Sequence, residues 1–324
     1  MSDLWDKVNQ VVGTTGLDGM CQRVGYTRKG ERGNIEHLLS RCLLHERLGT
    51  DAGTEIAAFR KNAEKTVVQT CRFLQPQQEL QTHEEFLRRV ARRPTNKPRT
   101  QVFTTNYDLC FEHAASRVGF AVIDGFSHTL PQRFDGDFFN LDYVRRPSGA
   151  EAPEFADKVF RLFKLHGSVD WERQETGEIV RKEQALEPVI IYPAESKFEL
   201  SYQQPFIEVM ARFQEAVREP NTGLFVVGFG FNDAHLVQPI LSAIRGNAAL
   251  KVLILTKDLR DACASGKNEA LAKIATLTKE GDSRICMLDG RFEDIAPRIP
   301  DLLTATAGER QMEILRRVLD SVSA

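Results

Sequence analysis

Apolar positions in the first hundred residues recur at helical spacing. In "SDLWDKVNQVV" (2–12) they fall at 4, 5, 8, 11 and 12, a helical period with Ser2 placed as an N-cap. The same spacing runs through "NIEHLLSRCLLHERL" from Asn34 and "TEIAAFRKNAEKTVVQTCRFL" from Thr54. "THEEFLRRVARR" starts at Thr82 and places Glu85 three residues on, the pattern of a capping box. Past residue 100 the pattern changes, and short apolar runs alternate with amphipathic segments. The runs are "QVFTT" (101–105), "VFRLFKLHG" (159–167), "PVIIY" (188–192), "LFVVGFG" (224–230), "KVLILT" (251–256) and "RICMLD" (284–289). Helical patterns at 107–117, about 197–218, 234–245 and 258–280 separate several of them. Such alternation predicts an α/β fold, a parallel sheet flanked by helices on both faces. The Gly-, Pro- and Asp-rich stretch 124–158 predicts a long loop or small insert over the strand ends. "ERQMEILRRVLDSVS" predicts a closing amphipathic helix over 308–322. The expected division is a mainly helical part at 1–100, a sheet core at 101–305 and a C-terminal helix at 306–324.

Composition narrows the classes. The chain has 324 residues, a formal net charge of −2, 42% hydrophobic and 27% charged residues, a globular balance. The length suits one large core with a helical appendage. Near-neutral charge argues against a general nucleic-acid binder. The basic run "FLRRVARRPTNKPR" (86–99) therefore reads as a solvated helix face followed by a loop, and nucleic acid is expected only through a partner. Cys21, Cys42, Cys71, Cys110, Cys263 and Cys286 form no CxxC pair, so no zinc ribbon is signalled. Most fall inside apolar patterns as small hydrophobes, which suits a reducing cytoplasm. No apolar run approaches the ~20 residues of a membrane span, and the N-terminus lacks the apolar region of a signal peptide. The seven histidines show neither HxH nor HExxH spacing, against a metal-dependent hydrolase.

Three runs end in residues with chemistry: "TTNYD" (104–108), "KLHGS" (164–168) and "VVGFGFND" (226–233). Ligands of open parallel sheets bind at the C-terminal ends of the strands. If these strands are neighbours, Asn106, Asp108, His166, Ser168, Gly228, Gly230 and Asp233 converge on one crevice. Gly228 and Gly230 would let a ligand approach the backbone, and N–H groups at a following helix start attract phosphate. Thr104 and Thr105 can hydrogen-bond phosphate or ribose, and His166 can titrate near neutrality. Each also has a plainer role. Asp108 and Asp233 could cap the helices that follow them, a lone histidine is more often structural than catalytic, and "HGS" could be a simple turn.

In that order, the three motifs resemble the sirtuin-like NAD-binding domains of bacterial antiphage defence proteins, over about residues 34–290. The resemblance implies a Rossmann-like fold, with Asn106 and His166 as the catalytic pair and Asp108 as the acidic residue near the ribose. It implies NAD contacts from Thr104, Thr105, Gly167, Ser168 and the segment Gly228, Phe229, Gly230 to Asp233, the last on the adenosine half. Deacetylating sirtuins carry a zinc ribbon with two CxxC pairs. This sequence has none, which points to the NAD-hydrolysing branch, with NAD as substrate and no metal. The family also begins with a strand and a GAGxS phosphate loop. No such motif precedes the first helix here, and "VVGTTGLDG" (11–19) reads as a connecting turn, because it follows a helix. The expectation is that the start given lies downstream of the true one or that the loop has been lost.

The reaction so implied breaks the nicotinamide–ribose bond through an oxocarbenium-like transition state. Asn106 would hold the ribose or the attacking water, His166 would act as general base, and Asp108 would orient the network. The resemblance further implies NAD depletion in antiphage defence, a homo-oligomer, and a partner such as a HerA-like hexameric ATPase or an Argonaute. The competing expectation is a non-catalytic NAD or ADP-ribose sensor or scaffold subunit.

Overall fold

The structure is a computed structural model that describes residues 2–28, 33–49, 53–75, 77–91, 97–146, 152–191, 203–264 and 268–300. The closing helix expected over 308–322 lies outside them, as do Tyr192 and the first residues of the helical pattern from about 197.

Four helices open the chain: α1 (Ser2–Val12), α2 (Thr14–Arg23), α3 (Ile35–Arg47) and α4 (Gly53–Cys71). Their apolar stripes meet in one cluster that includes Trp5, Val8, Leu17, Ile35, Leu38, Leu39, Ile56 and Val67. Each such side chain contributes ~1.5–3 kcal/mol on burial, so this part has a core of its own. Asn34 caps α3, its Oδ1 accepting from Glu36 N and His37 N. The turn expected over 11–19 shrinks to Gly13 at φ 81, with Gly16 and Gly19 inside α2. Helix α5 (Gln81–Phe86) runs into a π-helical turn, Leu87–Ala91. Its N-cap position is Leu80 with no side-chain cap bond, so the capping box expected of Thr82 and Glu85 does not form. Glu85 pairs forward with Arg89 instead.

The sheet strands follow. β1 (Gln101–Thr104) leads through α6 (Cys110–Val118) to β2 (Ala121–Ile123). The insert carries a 3-10 turn, Gly136–Asn140, and a two-stranded ribbon, β3 (Val144–Arg145) and β4 (Glu154–Phe155). β5 (Val159–Lys164) pairs in parallel with both β1 and β2, so the strand order is β1–β5–β2. All but one of its residues are buried, as expected for a strand covered on both faces.

The run expected to be one strand over 159–167 is two. After Lys164 the chain passes through His166 into β6 (Gly167–Arg173), which pairs antiparallel with β7 (Ile179–Arg181) and β8 (Pro188–Ile190). "PVIIY" thus belongs to an antiparallel sheet rather than the parallel one. The switch falls at Gly167, with φ 88, where a Cβ would stand 2.0 Å from the Val189 carbonyl oxygen. Only glycine fits.

A second parallel ladder has the order β11–β10–β9. It runs from α7 (Phe206–Arg218) through β9 (Gly223–Val227), α8 (Ala234–Gly246), β10 (Lys251–Thr256), α9 (Leu259–Ala264) and α10 (Glu269–Lys279) to β11 (Ile285–Asp289) and the short α11 (Phe292–Ile295). The helical pattern of 258–280 is therefore two helices. The two parallel ladders share their cores. Phe103 of β1 and Val226 of β9 belong to one cluster, Val102 and Phe225 to another. Alternate residues of both ladders thus face the same two layers, the period-2 signature of one sheet plane. Among the described residues no hydrogen-bonded ladder joins β1 to β9. The result is a Rossmann-like α/β core with a helical part docked on it.

Candidate functional site

In β1 and β5, Thr104 pairs with Lys164. Asn106 and His166 each lie two residues beyond that pair, on strands whose spacing is ~4.8 Å. The register thus brings the first two motifs to one level at the C-terminal edge. Asn106 is exposed. Its backbone N–H donates to Thr104 Oγ1 at 3.1 Å, so Thr104 shapes the turn that presents it. Thr105 is half-buried beside it. Asp108 Oδ1 accepts from the N–H of Cys110 at 3.0 Å; the N-cap position of α6 is Leu109, with no side-chain cap bond, so Asp108 orders the turn before the helix rather than capping it.

This turn is held from beneath. Lys164, only 3% exposed, donates from Nζ to the Asp108 carbonyl and stands 3.2 Å from Glu112 Oε1. Burial pushes the Glu112 carboxyl above its ordinary range, and Lys164 pulls it back. On the far side, the Tyr107 hydroxyl lies 2.8 Å from Glu36 Oε1 and 2.9 Å from the Ile191 carbonyl. Arg72 Nη2 donates to the carbonyls of Val169 and Ala185 at 2.7 and 2.6 Å. Glu36 of α3 and Arg72, the residue after α4, thereby hold the segments that follow Asn106 and His166.

His166 is 2% exposed. Its carbonyl accepts from Ile191 N at 2.8 Å, and its Nε2 lies 3.1 Å from His235 Nε2. His235 is exposed in the first turn of α8, so this contact joins the second and third motifs. Ser168 is wholly buried, and its Oγ has no hydrogen-bond partner among the described residues. The structure therefore places Ser168 behind the crevice wall.

In the third motif Gly228 turns at φ 62 with open space where a Cβ would be. Phe229 stacks at a tilt on Phe231, 4.9 Å between ring centres. The Gly230 carbonyl accepts from Asn268 Nδ2 at 2.6 Å, and Asn268 Oδ1 caps α10 through Leu271 N. Asp233 holds the N-cap position of α8 without a side-chain cap bond. Asn232, Ala234, Gln238, Asn268 and Glu269 line an open cleft of about 240 Å³ between the starts of α8 and α10. The insert places Phe126 on Trp171 at 5.5 Å and Phe134 on Trp171 at 6.2 Å, against the strands that follow His166.

Four participants, Lys164, Glu112, Asn268 and His235, are not singled out by the sequence. Lys164 stands within "KLHGS" and reads there as a strand residue. Glu112 and Asn268 sat in helix patterns, and their partners lie 52 and 38 residues away. His235 was one more scattered histidine until α8 folded back. Among the described residues no cluster of three or more His, Cys, Asp or Glu side chains is placed to hold a metal ion, and none of the described helices is long and apolar enough to cross a membrane.

A Rossmann-like core with polar residues gathered at its strand ends defines a nucleotide-binding class of protein. The family model described as SIR2-like domain matches residues 100–274, more than half of the sequence, and the chain belongs to that sirtuin-like family, whose members use NAD. Comparison with curated proteins finds no match.

Proposed function

We propose that the chain is an NAD⁺ glycohydrolase that releases nicotinamide. The observation that supports this is the register of β1 on β5, which pairs Thr104 with Lys164, two residues before Asn106 and His166 respectively, in a SIR2-like domain. Asn106, exposed at the end of β1, would hold the ribose or the attacking water. His166 would take the proton of that water, a contribution of ~10²–10⁴-fold in general-base catalysis. Asp108, whose carboxylate already orders the turn before α6, would support positive charge developing on the ribose. Gly228 to Asp233 would receive the adenosine half, with the open backbone at Gly228 allowing close approach. No step calls for a metal.

We place this activity in antiphage defence by NAD⁺ depletion, under the control of self-assembly or of a partner such as a HerA-like ATPase. The support is the ordered motif set without a zinc ribbon. A second proposal has one observation in its favour: His166 is buried with Nε2 already engaged by His235, as a binding-only domain would allow. Calorimetry with NAD and ADP-ribose beside chromatography of the products separates the two. Hydrolysis predicts free nicotinamide accumulating beyond one equivalent per chain. Saturable binding with no nicotinamide formed would establish the sensor.

A further inference from the structure

We infer that Lys164 is a positioning residue whose ammonium, aimed by Glu112, sets the turn that presents Asn106 to substrate; this rests on the hydrolytic proposal above. β5 is buried at all but one position, yet it ends on a lysine that is 3% exposed. Taking a charge out of water is costly. A buried ion pair is often no more stable than apolar side chains of the same volume. Stability alone therefore does not account for an ammonium at this place. Its contacts give it another task.

An ammonium has three N–H donors and no acceptor. Lys164 Nζ directs them to the Asp108 carbonyl, to the Tyr107 carbonyl at 3.4 Å and to Glu112 Oε1 at 3.2 Å. Two of these acceptors are consecutive carbonyls of the turn that follows Asn106. The third is a side chain in the first turn of α6. One buried point charge thus ties together β5, the turn and α6. The same turn is held at two further points. The Asn106 N–H donates to Thr104 Oγ1 at 3.1 Å, and the Tyr107 carbonyl also accepts from Val169 N at 3.1 Å. Asn106 itself is exposed, so its side chain takes its direction from the backbone beneath it.

Register adds the second half of the argument. Lys164 pairs with Thr104 across β5 and β1 and stands two residues before His166. The residue that holds the Asn106 turn is therefore part of the strand that delivers His166, and the two ends are set against each other by one side chain. Lys164 is buried behind the turn and does not meet substrate. Its effect falls on alignment, which is felt most where bonds are breaking. A residue of this kind lowers kcat and leaves KM nearly alone.

Steady-state nicotinamide release and melting curves of the full chain, of Lys164→Met and of the double variant Lys164→Met/Glu112→Leu test this. Methionine keeps an unbranched, flexible chain but has no donor. Lys164→Met leaves Glu112 without its cation and should melt lower, and the double variant, which removes both charges, should recover most of that loss. Both should turn over ~10–100-fold more slowly than wild type, with KM within about threefold. A double variant that regains the wild-type kcat together with its melting point would make the pair structural and overturn the proposal. Wild-type kcat in Lys164→Met, a loss confined to KM, or failure of both variants to fold would overturn it equally. If the wild-type chain releases no nicotinamide, the hydrolytic proposal fails, and hydrogen exchange then decides the positioning claim alone. Faster exchange in the double variant confined to amides 104–110 supports it, and exchange there equal to wild type overturns it.

Discussion

Gly167 is where the strand that carries His166 reverses its pairing. A methyl group there would meet a backbone oxygen at 2.0 Å, and φ is 88. Both faults bear on Gly167→Ala, which should cost about 2–4 kcal/mol and lower the thermal midpoint by several degrees. A melting curve within a degree of wild type would show that the turn relaxes freely. Asn106→Ala should behave in the opposite way, with a melting point unchanged because the side chain is exposed, and nicotinamide release reduced ~10²-fold or more. The polar ends of "QVFTT" and "VFRLFKLHG" made Asn106 and His166 legible in the sequence, since an apolar run that stops on Asn or His at a strand end stands out. His235 was not legible. Its meaning depends on a contact across 69 residues, and nothing in its local pattern distinguishes it from any helix-start histidine. Lys164 was hidden for a related reason: one lysine in a buried strand looks like an edge residue until its Nζ is seen tying down Asp108.

Element ends were the least legible scale. The pattern 258–280 reads as one helix, because the interruption between α9 and α10 contains no proline. Asn268 starts the second helix by accepting from Leu271 N while donating to the Gly230 carbonyl. Asn268→Ala removes a cap worth ~1 kcal/mol and leaves that carbonyl without its partner. The variant should melt lower and show raised KM for NAD with smaller change in kcat; unchanged KM would detach the GFG loop from substrate binding. Helix α5 supplies a pH prediction. His83 packs edge-on against Phe111 at 5.1 Å and Phe292 at 5.5 Å. Burial holds its pKa below the ordinary 6.5, with Asp108 pulling weakly upward. The unfolded chain therefore binds a proton that the folded chain refuses. The stability is full above pH 6.5 and is lost as pH falls toward the folded value. His83→Phe should flatten this acid limb between pH 6.5 and 5; an unaltered pH–stability curve would refute the assignment.

At the scale of the whole molecule, alternation of apolar runs with helices was enough to expect a helix-flanked parallel sheet, because buried parallel strands read as continuous apolar runs. It did not reveal that β6, β7 and β8 form a separate antiparallel sheet, since burial on both faces erases the alternation that marks such strands. Assembly belongs to this scale too. The apolar stripe Met312, Ile314, Leu315, Val318, Leu319 and Val322 lies outside the described residues, and we expect it to contribute to a homo-oligomer. Light scattering at micromolar concentration should give a mass well above 36.6 kDa; a clean monomer would dismiss the expectation. The most direct test of the enzyme proposed here is nicotinamide release from NAD by the purified full chain, run in parallel with Asn106→Ala and His166→Ala of matched melting point. Multiple turnovers in the wild type and loss of ~10²-fold or more in both variants is the predicted result. No release by the wild type, or release by either variant at the wild-type rate, would contradict it.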